Sequence, residues 1–85
     1  RMILSWTEEA WEDYEYWQGT NRQNTKRINK LIQSILRTPF EGLGKPEPLK
    51  YNLAGSWSRR IDQENRLVYE VLDGQIIILQ CRYHY

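Results

Sequence analysis

The segment FEGLGKPEP, residues 40–48, constrains the fold more than any other part of the sequence. Its two glycines and two prolines exclude a regular helix or strand through most of its length. Apolar residues recur with a helical period before this segment and with an alternating period after it. We therefore expect helices in the first half of the chain, strands in the second half and one long loop between them.

Two helices are predicted before the loop, after a short strand at Met2 to Ser5. Thr7 is suited to cap the first helix, and the two glutamates that follow it favour the positive end of the helix dipole. Pro39 ends the second helix. That helix carries an apolar stripe at three- and four-residue spacing, made of Ile28, Leu31, Ile32, Ile35 and Leu36. The stripe predicts one face packed against the rest of the protein.

The second half of the chain reads as strands. They are predicted at Leu49 to Leu53, Trp57 to Asp62, Arg66 to Leu72 and Gln75 to about Tyr83, with a hairpin turn at Asp73-Gly74. This order predicts an α+β fold in which two N-terminal helices pack on one face of a mostly antiparallel sheet and the other face stays open. At this length we expect a single domain over residues 1–85.

Charge and cysteine content exclude several classes of protein. The 12 basic residues nearly cancel the 11 acidic ones, but acids concentrate in residues 1–20 and bases in residues 21–37, so the molecule is polarised. One cysteine and one histidine provide neither an internal disulfide nor a zinc site of the usual spacing, and we expect no metal or cofactor. No apolar run is long enough to span a membrane. These features predict a cytoplasmic protein without a membrane partner.

Basic residues recur at positions that neighbouring strands would bring together: Arg59, Arg60, Arg66, Arg82 and the nearby His84. Like charges on adjacent strands destabilise a sheet unless an anion lies among them, and arginine is well suited to phosphate oxygens. The alternative is that these arginines are solvated or paired with nearby acids and that the histidine has no function. The clustering favours a phosphate-binding surface.

Cleavage of RNA is one reaction that such a surface can catalyse. The 2′-hydroxyl is the nucleophile, so the protein must accept one proton, donate another and stabilise the charged phosphate. Histidine is the side chain best suited in general to donate a proton near neutral pH, and His84 is the only one in the chain. Glu47 is held between two prolines in the long loop. Tyr83 and Tyr85 are available to stack on bases. Cys81 lies in an apolar strand and is predicted to be a buried small hydrophobe.

Four motifs together resemble the YoeB family of toxins, within the RelE superfamily. They are RTPFEGLGKPEPLK (Arg37 to Lys50), SWSRRI (Ser56 to Ile61), ENRLVYEV (Glu64 to Val71) and CRYHY (Cys81 to Tyr85). The resemblance implies a RelE-like fold and a ribosome-dependent endoribonuclease that cuts mRNA in the ribosomal A site. It also implies a YefM-like antitoxin, the 70S ribosome and mRNA as partners. The sequence leaves open whether the protein forms a homodimer.

The resemblance also implies roles for individual residues. It makes Glu47 the general base, Arg66 the residue that stabilises the phosphate and His84 the general acid. Lys50, Arg60 and Tyr85 match supporting RNA-binding and transition-state residues of the family, and we add Arg59 and Tyr83 as RNA-binding residues.

The predicted hairpin raises a geometric problem for these roles. A two-residue turn at Asp73-Gly74 pairs Arg66 with Cys81 and sends His84 to the opposite face of the sheet. We therefore predict a bulge or an odd-length turn between Val71 and Tyr83, or a tail that leaves the strand before His84.

Two alternatives remain open from the sequence. One is a non-catalytic module that binds RNA or the ribosome, in which the arginines only dock. The other is a toxin of the same fold that acts on another target, such as DNA gyrase. Substitution of Glu47 should barely affect the binding module, and both Glu47 and His84 should be dispensable in the toxin with another target.

Overall fold

The computed structural model describes residues 2–85 and contains two helices and five strands within them. The elements in chain order are β1 (Ile3–Trp6), α1 (Glu8–Thr20), α2 (Arg22–Arg37), β2 (Glu47–Pro48), β3 (Ser56–Arg60), β4 (Arg66–Leu72) and β5 (Gln75–Gln80). The strands form one sheet in the order β1-β5-β4-β3-β2, in which only the β1-β5 pair is parallel. The predicted α+β class, two helices on a mostly antiparallel sheet, is confirmed. Neither helix within the described residues has the length and apolar content needed to cross a membrane.

Side-chain caps define where the helices begin. The Thr7 hydroxyl oxygen accepts a hydrogen bond from the Ala10 N–H at 3.1 Å, which confirms Thr7 as the cap of α1. The same hydroxyl donates to the Leu79 carbonyl at 2.9 Å and so ties the start of the helix to the sheet. Asn21 alone separates α1 from α2, and its side chain accepts from the Asn24 N–H. The connection between the two helices is therefore a single residue.

The core lies between the helices and one face of the sheet. The apolar stripe of α2 is largely buried there, as predicted, together with side chains from β4 and β5 that point to the same face. The buried cluster includes Ala10, Trp17, Ile28, Leu31, Ile32, Ile35, Leu67, Tyr69, Ile76, Ile78 and Cys81. Burial of this apolar area is the main stabilising contribution to the fold.

The strand predicted at Leu49 to Leu53 is wrong. The chain forms a 3-10 turn at Tyr51–Leu53, and β2 consists of only two residues, with Glu47 opposite Ser58 and Pro48 opposite Trp57. Tyr51 has a φ of 58°, a left-handed conformation that cannot continue an extended strand. Glu47 is therefore part of the sheet edge, where the strand pairing fixes its position.

The predicted irregularity between β4 and β5 is confirmed. Tyr69 pairs with Ile78 but Val68 pairs with Gln80, so Leu79 is an extra residue in β5. The chain leaves the strand after Gln80, and the Arg66 N–H donates to the Tyr83 carbonyl at 3.0 Å. The bulge and the departing tail together bring the end of the chain to the start of β4.

This tail covers part of the sheet face that we predicted to be open. The Tyr85 hydroxyl lies 3.1 Å from the Ser58 hydroxyl on that face. Ser58 and its strand partner Val68 are accordingly 3% and 2% exposed. The second face is therefore partly closed by the C-terminal residues and is not a bare sheet surface.

Helix α1 holds the beginning of the tail. The Trp17 indole N–H donates to the Cys81 carbonyl at 2.7 Å, and the Cys81 N–H donates to the Asp13 carboxylate at 3.1 Å. The Cys81 thiol is buried beside the Ala10 carbonyl, and burial raises the pKa of this thiol to about 12. Cys81 is thus an inert core residue, as predicted, and its backbone is a fixed point from which the tail extends.

We expect Asp13→Asn to raise the melting temperature at pH 7. Burial raises the pKa of Asp13 above its ordinary 3.8, although the Cys81 N–H opposes this shift. The folded state therefore holds this proton more tightly than the unfolded state, and that stabilisation is lost as the pH rises through the folded pKa. Asparagine keeps the acceptor for the Cys81 N–H without the buried charge.

Thermal unfolding at pH 7 and at about pH 4 tests this expectation. The advantage of Asp13→Asn should shrink at the lower pH, where Asp13 itself becomes protonated. Glu12→Gln removes the same charge from an exposed position of α1 and is the matched control. A less stable Asp13→Asn protein at pH 7 would mean that the charge itself stabilises the tail.

Candidate active site

The three predicted catalytic side chains, Glu47, Arg66 and His84, line one cleft on the sheet face that carries the tail. The cleft has a volume of about 220 Å³. Its full lining is Lys45, Glu47, Ser58, Arg60, Arg66, His84 and Tyr85. One carboxylate, one imidazole and three cationic side chains thus face a common space within the described residues.

Glu47 is held at the edge of the sheet by its backbone. It pairs with Ser58 across β2 and β3, and the prolines on either side restrict the backbone further. Just before it, the Gly44 carbonyl accepts the Arg60 N–H at 2.7 Å. A Cβ at Gly44 would lie 2.6 Å from a Leu31 methyl carbon, so the close approach of this loop to α2 requires glycine. The Glu47 carboxylate is itself exposed to solvent.

Arg66 is largely buried and firmly positioned. Its Nη1 donates to three carbonyl oxygens of the preceding turn, at 2.8 Å to Asp62, 3.3 Å to Gln63 and 3.1 Å to Asn65. Among residues 2–85, the other guanidinium nitrogens of Arg66 have no hydrogen-bond acceptor. The guanidinium is therefore fixed through one nitrogen while the rest of its donors remain for a ligand in the cleft.

The turn that holds Arg66 is organised by the Asp62 carboxylate. This group accepts the backbone N–H groups of Glu64 at 2.8 Å and Asn65 at 2.7 Å, and the Asn24 side chain at 3.1 Å. Burial alone would raise the pKa of Asp62, but the hydrogen bonds from Asn24, Glu64 and Asn65 outweigh it and lower the pKa below its ordinary value. The charged form of Asp62 thus maintains the turn at neutral pH.

The last two residues, His84 and Tyr85, contact each other, and Tyr85 also contacts the Glu47 carboxylate. The rings of His84 and Tyr85 are stacked with their centroids 4.8 Å apart. The His84 Nδ1 lies 3.2 Å from the Tyr85 carbonyl oxygen, which favours a proton on that nitrogen. The Tyr85 hydroxyl lies 3.1 Å from the Ser58 hydroxyl and 3.5 Å from Glu47 Oε1. Tyr85 therefore contacts both His84 and Glu47, the two residues predicted to transfer protons.

The other predicted RNA-binding residues occupy different places. Arg60 is exposed in the cleft. Lys50 is exposed outside it, in an adjoining groove that Tyr85 also lines. Tyr83 is outside the cleft and exposed, with the Arg82 guanidinium 4.5 Å from its ring. Arg82 also lies 3.5 Å above the Tyr16 ring of α1, so it does not join the other arginines in the cleft.

The structure corrects the predicted role of Arg59. Its side chain is 0% exposed on the helix face of the sheet and cannot contact RNA. All five of its N–H donors are used within the protein, by the Tyr69 and Ser34 hydroxyls and by the carbonyls of Leu43, Thr38 and Glu41. These last three belong to the loop that leads to Glu47. Arg59 is therefore an internal support of that loop.

Two lining residues were missed by the sequence analysis. Lys45 lies two positions before Glu47 in the same motif, and its φ of 55° is uncommon for a residue other than glycine. Its place beside Glu47 and its charge were signals that could have identified it. Ser58 enters the cleft because it pairs with Glu47, and no local signal indicates that pairing.

Comparison with known proteins gives consistent results over nearly the whole chain. A family described as the YoeB-like toxin of bacterial type II toxin-antitoxin systems matches residues 6–85. The toxin YoeB of Escherichia coli K12 is 61% identical over 84 residues, which cover 99% of this chain and all of that protein.

Two solved structures from Staphylococcus aureus are also similar to this chain. A YoeB dimer has a TM-score of 0.92 at 49% identity, over 100% of this chain and 99% of that one. A YoeB-YefM complex has a TM-score of 0.90 at 50% identity, with the same coverage. With the sequence motifs and the fold in agreement with these matches, the chain belongs to the YoeB family of toxins of bacterial type II toxin-antitoxin systems.

Proposed function

We propose that this toxin is a ribosome-dependent endoribonuclease that inhibits translation by cutting mRNA in the ribosomal A site. The observation that carries the proposal is the single cleft lined by Glu47, Arg66 and His84. A proton acceptor, a proton donor and a guanidinium around one space are what cleavage of an RNA phosphodiester by its own 2′-hydroxyl requires. Such an enzyme acts in the bacterial cytoplasm, where its substrate is translated.

In the proposed reaction Glu47 takes the proton of the 2′-hydroxyl, and the 2′-oxygen forms a bond to phosphorus. The bond from phosphorus to the 5′-oxygen breaks, and His84 gives that oxygen a proton. The products are a 2′,3′-cyclic phosphate and a 5′-hydroxyl end. Because the nucleophile belongs to the substrate, the step needs no metal-bound water.

Cations around the cleft stabilise the charge that develops on the phosphate. Arg66 is fixed through Nη1 and keeps its remaining donors for the phosphate oxygens, so it needs little reorganisation. Lys45 and Arg60 line the same space and add positive charge. Tyr85 orients the site because its hydroxyl contacts the Ser58 side chain and Glu47. Lys50 and Tyr83, which both lie outside the cleft, contact the RNA beyond the scissile phosphate.

The basic residues of α2 are the proposed contact with ribosomal RNA. Lys26, Arg27 and Lys30 line a shallow exposed depression along the helix, together with Gln23. A patch of this kind gains affinity from any RNA backbone by releasing counterions. The contact orients the toxin so that its cleft faces the mRNA.

We further propose a YefM-like antitoxin and a homodimer as the protein partners. The support is the likeness to the Staphylococcus aureus proteins that were solved as a YoeB-YefM complex and as a YoeB dimer. An antitoxin segment that folds on binding covers a large surface, and an acidic segment competes with RNA for the arginines of the cleft.

Mapping of mRNA ends by primer extension, with and without ribosomes, tests the proposed function. We expect cuts in the A-site codon only when ribosomes are present. Glu47→Gln should abolish these cuts while the protein still binds ribosomes, because glutamine keeps the size of the side chain but cannot accept the proton. Cuts that persist with Glu47→Gln would refute its role as the base. Inhibition of translation without any cuts would favour the non-catalytic binding module.

A further inference from the structure

A groove next to the active-site cleft has no assigned function. It has a volume of about 610 Å³, within the range of roughly 300–1,000 Å³ that is common for ligand sites. Its walls are mainly apolar and are formed by residues 47–53 and Tyr85. Glu47 and Tyr85 line both the groove and the cleft, so the two spaces lie side by side. An RNA strand bound at the cleft would therefore have the groove as its immediate neighbour.

The most exposed aromatic side chain of the described residues forms one wall of this groove. Tyr51 is 90% exposed. The other exposed aromatic rings each contact a second ring or a guanidinium in the chain, as Phe40 contacts Trp57 and Tyr83 contacts Arg82. Among residues 2–85, Tyr51 has no such partner. Both faces of its ring are therefore available.

The backbone at Tyr51 has a conformation that tyrosine rarely adopts. Tyr51 has a φ of 58° and begins a 3-10 turn. The turn is closed by hydrogen bonds from the Leu53 N–H to the Lys50 carbonyl at 3.1 Å and from the Ala54 N–H to the Tyr51 carbonyl at 3.0 Å. Such conformations are concentrated at functional sites, where the surrounding structure maintains them. The turn thus presents the tyrosine and does not bury it.

Lys50, the residue before Tyr51, gives the groove a positive charge. Its side chain is exposed and lines the groove next to Tyr51. A flat aromatic surface combined with a cation is the arrangement by which proteins bind single-stranded nucleic acid: bases stack on the ring and phosphates pair with the cation.

We propose that this groove binds the base of a nucleotide next to the scissile phosphate of single-stranded mRNA, by stacking on Tyr51. The inference rests on the proposed function, because the cleft defines where the scissile phosphate lies. With that phosphate among Arg66, His84 and Glu47, the neighbouring nucleotide passes Tyr85 and reaches Tyr51, and Lys50 pairs with its phosphate.

Binding of a fluorescent single-stranded RNA by the His84→Gln protein, in the absence of ribosomes, tests the proposal, because this background is expected to cut RNA far more slowly than the parent. Tyr51→Ala should weaken binding about 5- to 150-fold, as expected for the loss of one stacked base. Tyr51→Phe keeps the ring and should bind as the parent does. Tyr51→Leu keeps an apolar side chain without a stacking surface and should resemble Tyr51→Ala.

Cleavage on ribosomes provides the second measurement. With His84 intact, Tyr51→Ala should raise the toxin concentration that gives half-maximal cleavage and leave the maximal rate unchanged, since the proton-transfer groups are untouched. Equal binding and equal kinetics for Tyr51→Ala and the parent would overturn the proposal. Loss of dimer or antitoxin binding with RNA binding intact would also overturn it and assign the groove to a protein partner.

The two proposals can fail separately. If the parent protein cuts no mRNA under any condition, the proposed function fails. Binding of the RNA probe still decides the groove in that case: a loss with Tyr51→Ala supports the groove as a base site, and no change overturns it.

Discussion

His84→Gln should reduce mRNA cleavage on ribosomes by a factor of about 100 to 10,000, the usual contribution of a positioned general acid. His84 is exposed in the tail and supports no part of the core, so the variant should unfold at the same temperature as the parent. Single-turnover cleavage of a ribosome-bound mRNA measures the rate, and thermal unfolding measures the stability.

A modified substrate identifies which proton His84 moves. An mRNA with sulfur in place of the 5′-oxygen at the scissile bond has a leaving group that needs no protonation. His84→Gln should cut this substrate nearly as fast as the parent does, whereas Glu47→Gln should remain inactive because the 2′-hydroxyl still needs a base. If the sulfur substrate does not restore cleavage by His84→Gln, the histidine is not the general acid.

Arg59→Met should destabilise the protein by about 3–5 kcal/mol, a large part of the roughly 5–15 kcal/mol that stabilises a typical domain. The substitution keeps most of the side-chain volume. It leaves the Ser34 and Tyr69 hydroxyl oxygens and three loop carbonyls without the N–H groups that donate to them. Buried acceptors without a donor cost about 1–3 kcal/mol each, and partial relaxation of the loop reduces the sum. Urea unfolding provides the measurement.

Arg60→Met is the matched control, because it changes the same residue type one position away on the other face of the sheet. Arg60 is exposed, so its loss should change stability by no more than about 0.5 kcal/mol while it weakens cleavage. Loss of Arg59 is thus expected to lower the stability of the fold, whereas loss of Arg60 is expected to weaken RNA cleavage. Equal stability of the two variants would contradict the support that we assign to Arg59.

Tyr69 shows how the buried arginine is accommodated. Its hydroxyl accepts from Arg59 Nε at 3.1 Å and donates to the Pro39 carbonyl at 2.7 Å. Burial raises the pKa of Tyr69, although the neighbouring Arg59 opposes this shift. The hydroxyl therefore stays protonated and donates one more hydrogen bond to the loop. Arg59 and Tyr69 together fix the loop whose end carries Glu47.

The sequence alone determined the parts of the fold that depend on local chemistry. The apolar stripe of α2, the Thr7 cap and the turn at Asp73-Gly74 each involve residues close together in the chain, and all three are found in the structure. The need for a break in register near the end of β5 also followed from the sequence. It came from requiring that Arg66 and His84 serve one site, and the extra residue Leu79 meets that need.

Tertiary structure decided which polar groups reach the cleft and which are buried. Arg59 and Arg60 are the same residue type at adjacent positions of β3. Burial of Arg59 is tolerated only because the distant segment 34–43 supplies acceptors for its guanidinium. The two-residue strand at Glu47 depends on Ser58, and the path of the tail depends on Asp13 and Trp17 of α1. These choices result from competition among contacts between remote parts of the chain. Local propensity carries no information about them, because each contact forms only when the sheet and helices are already together.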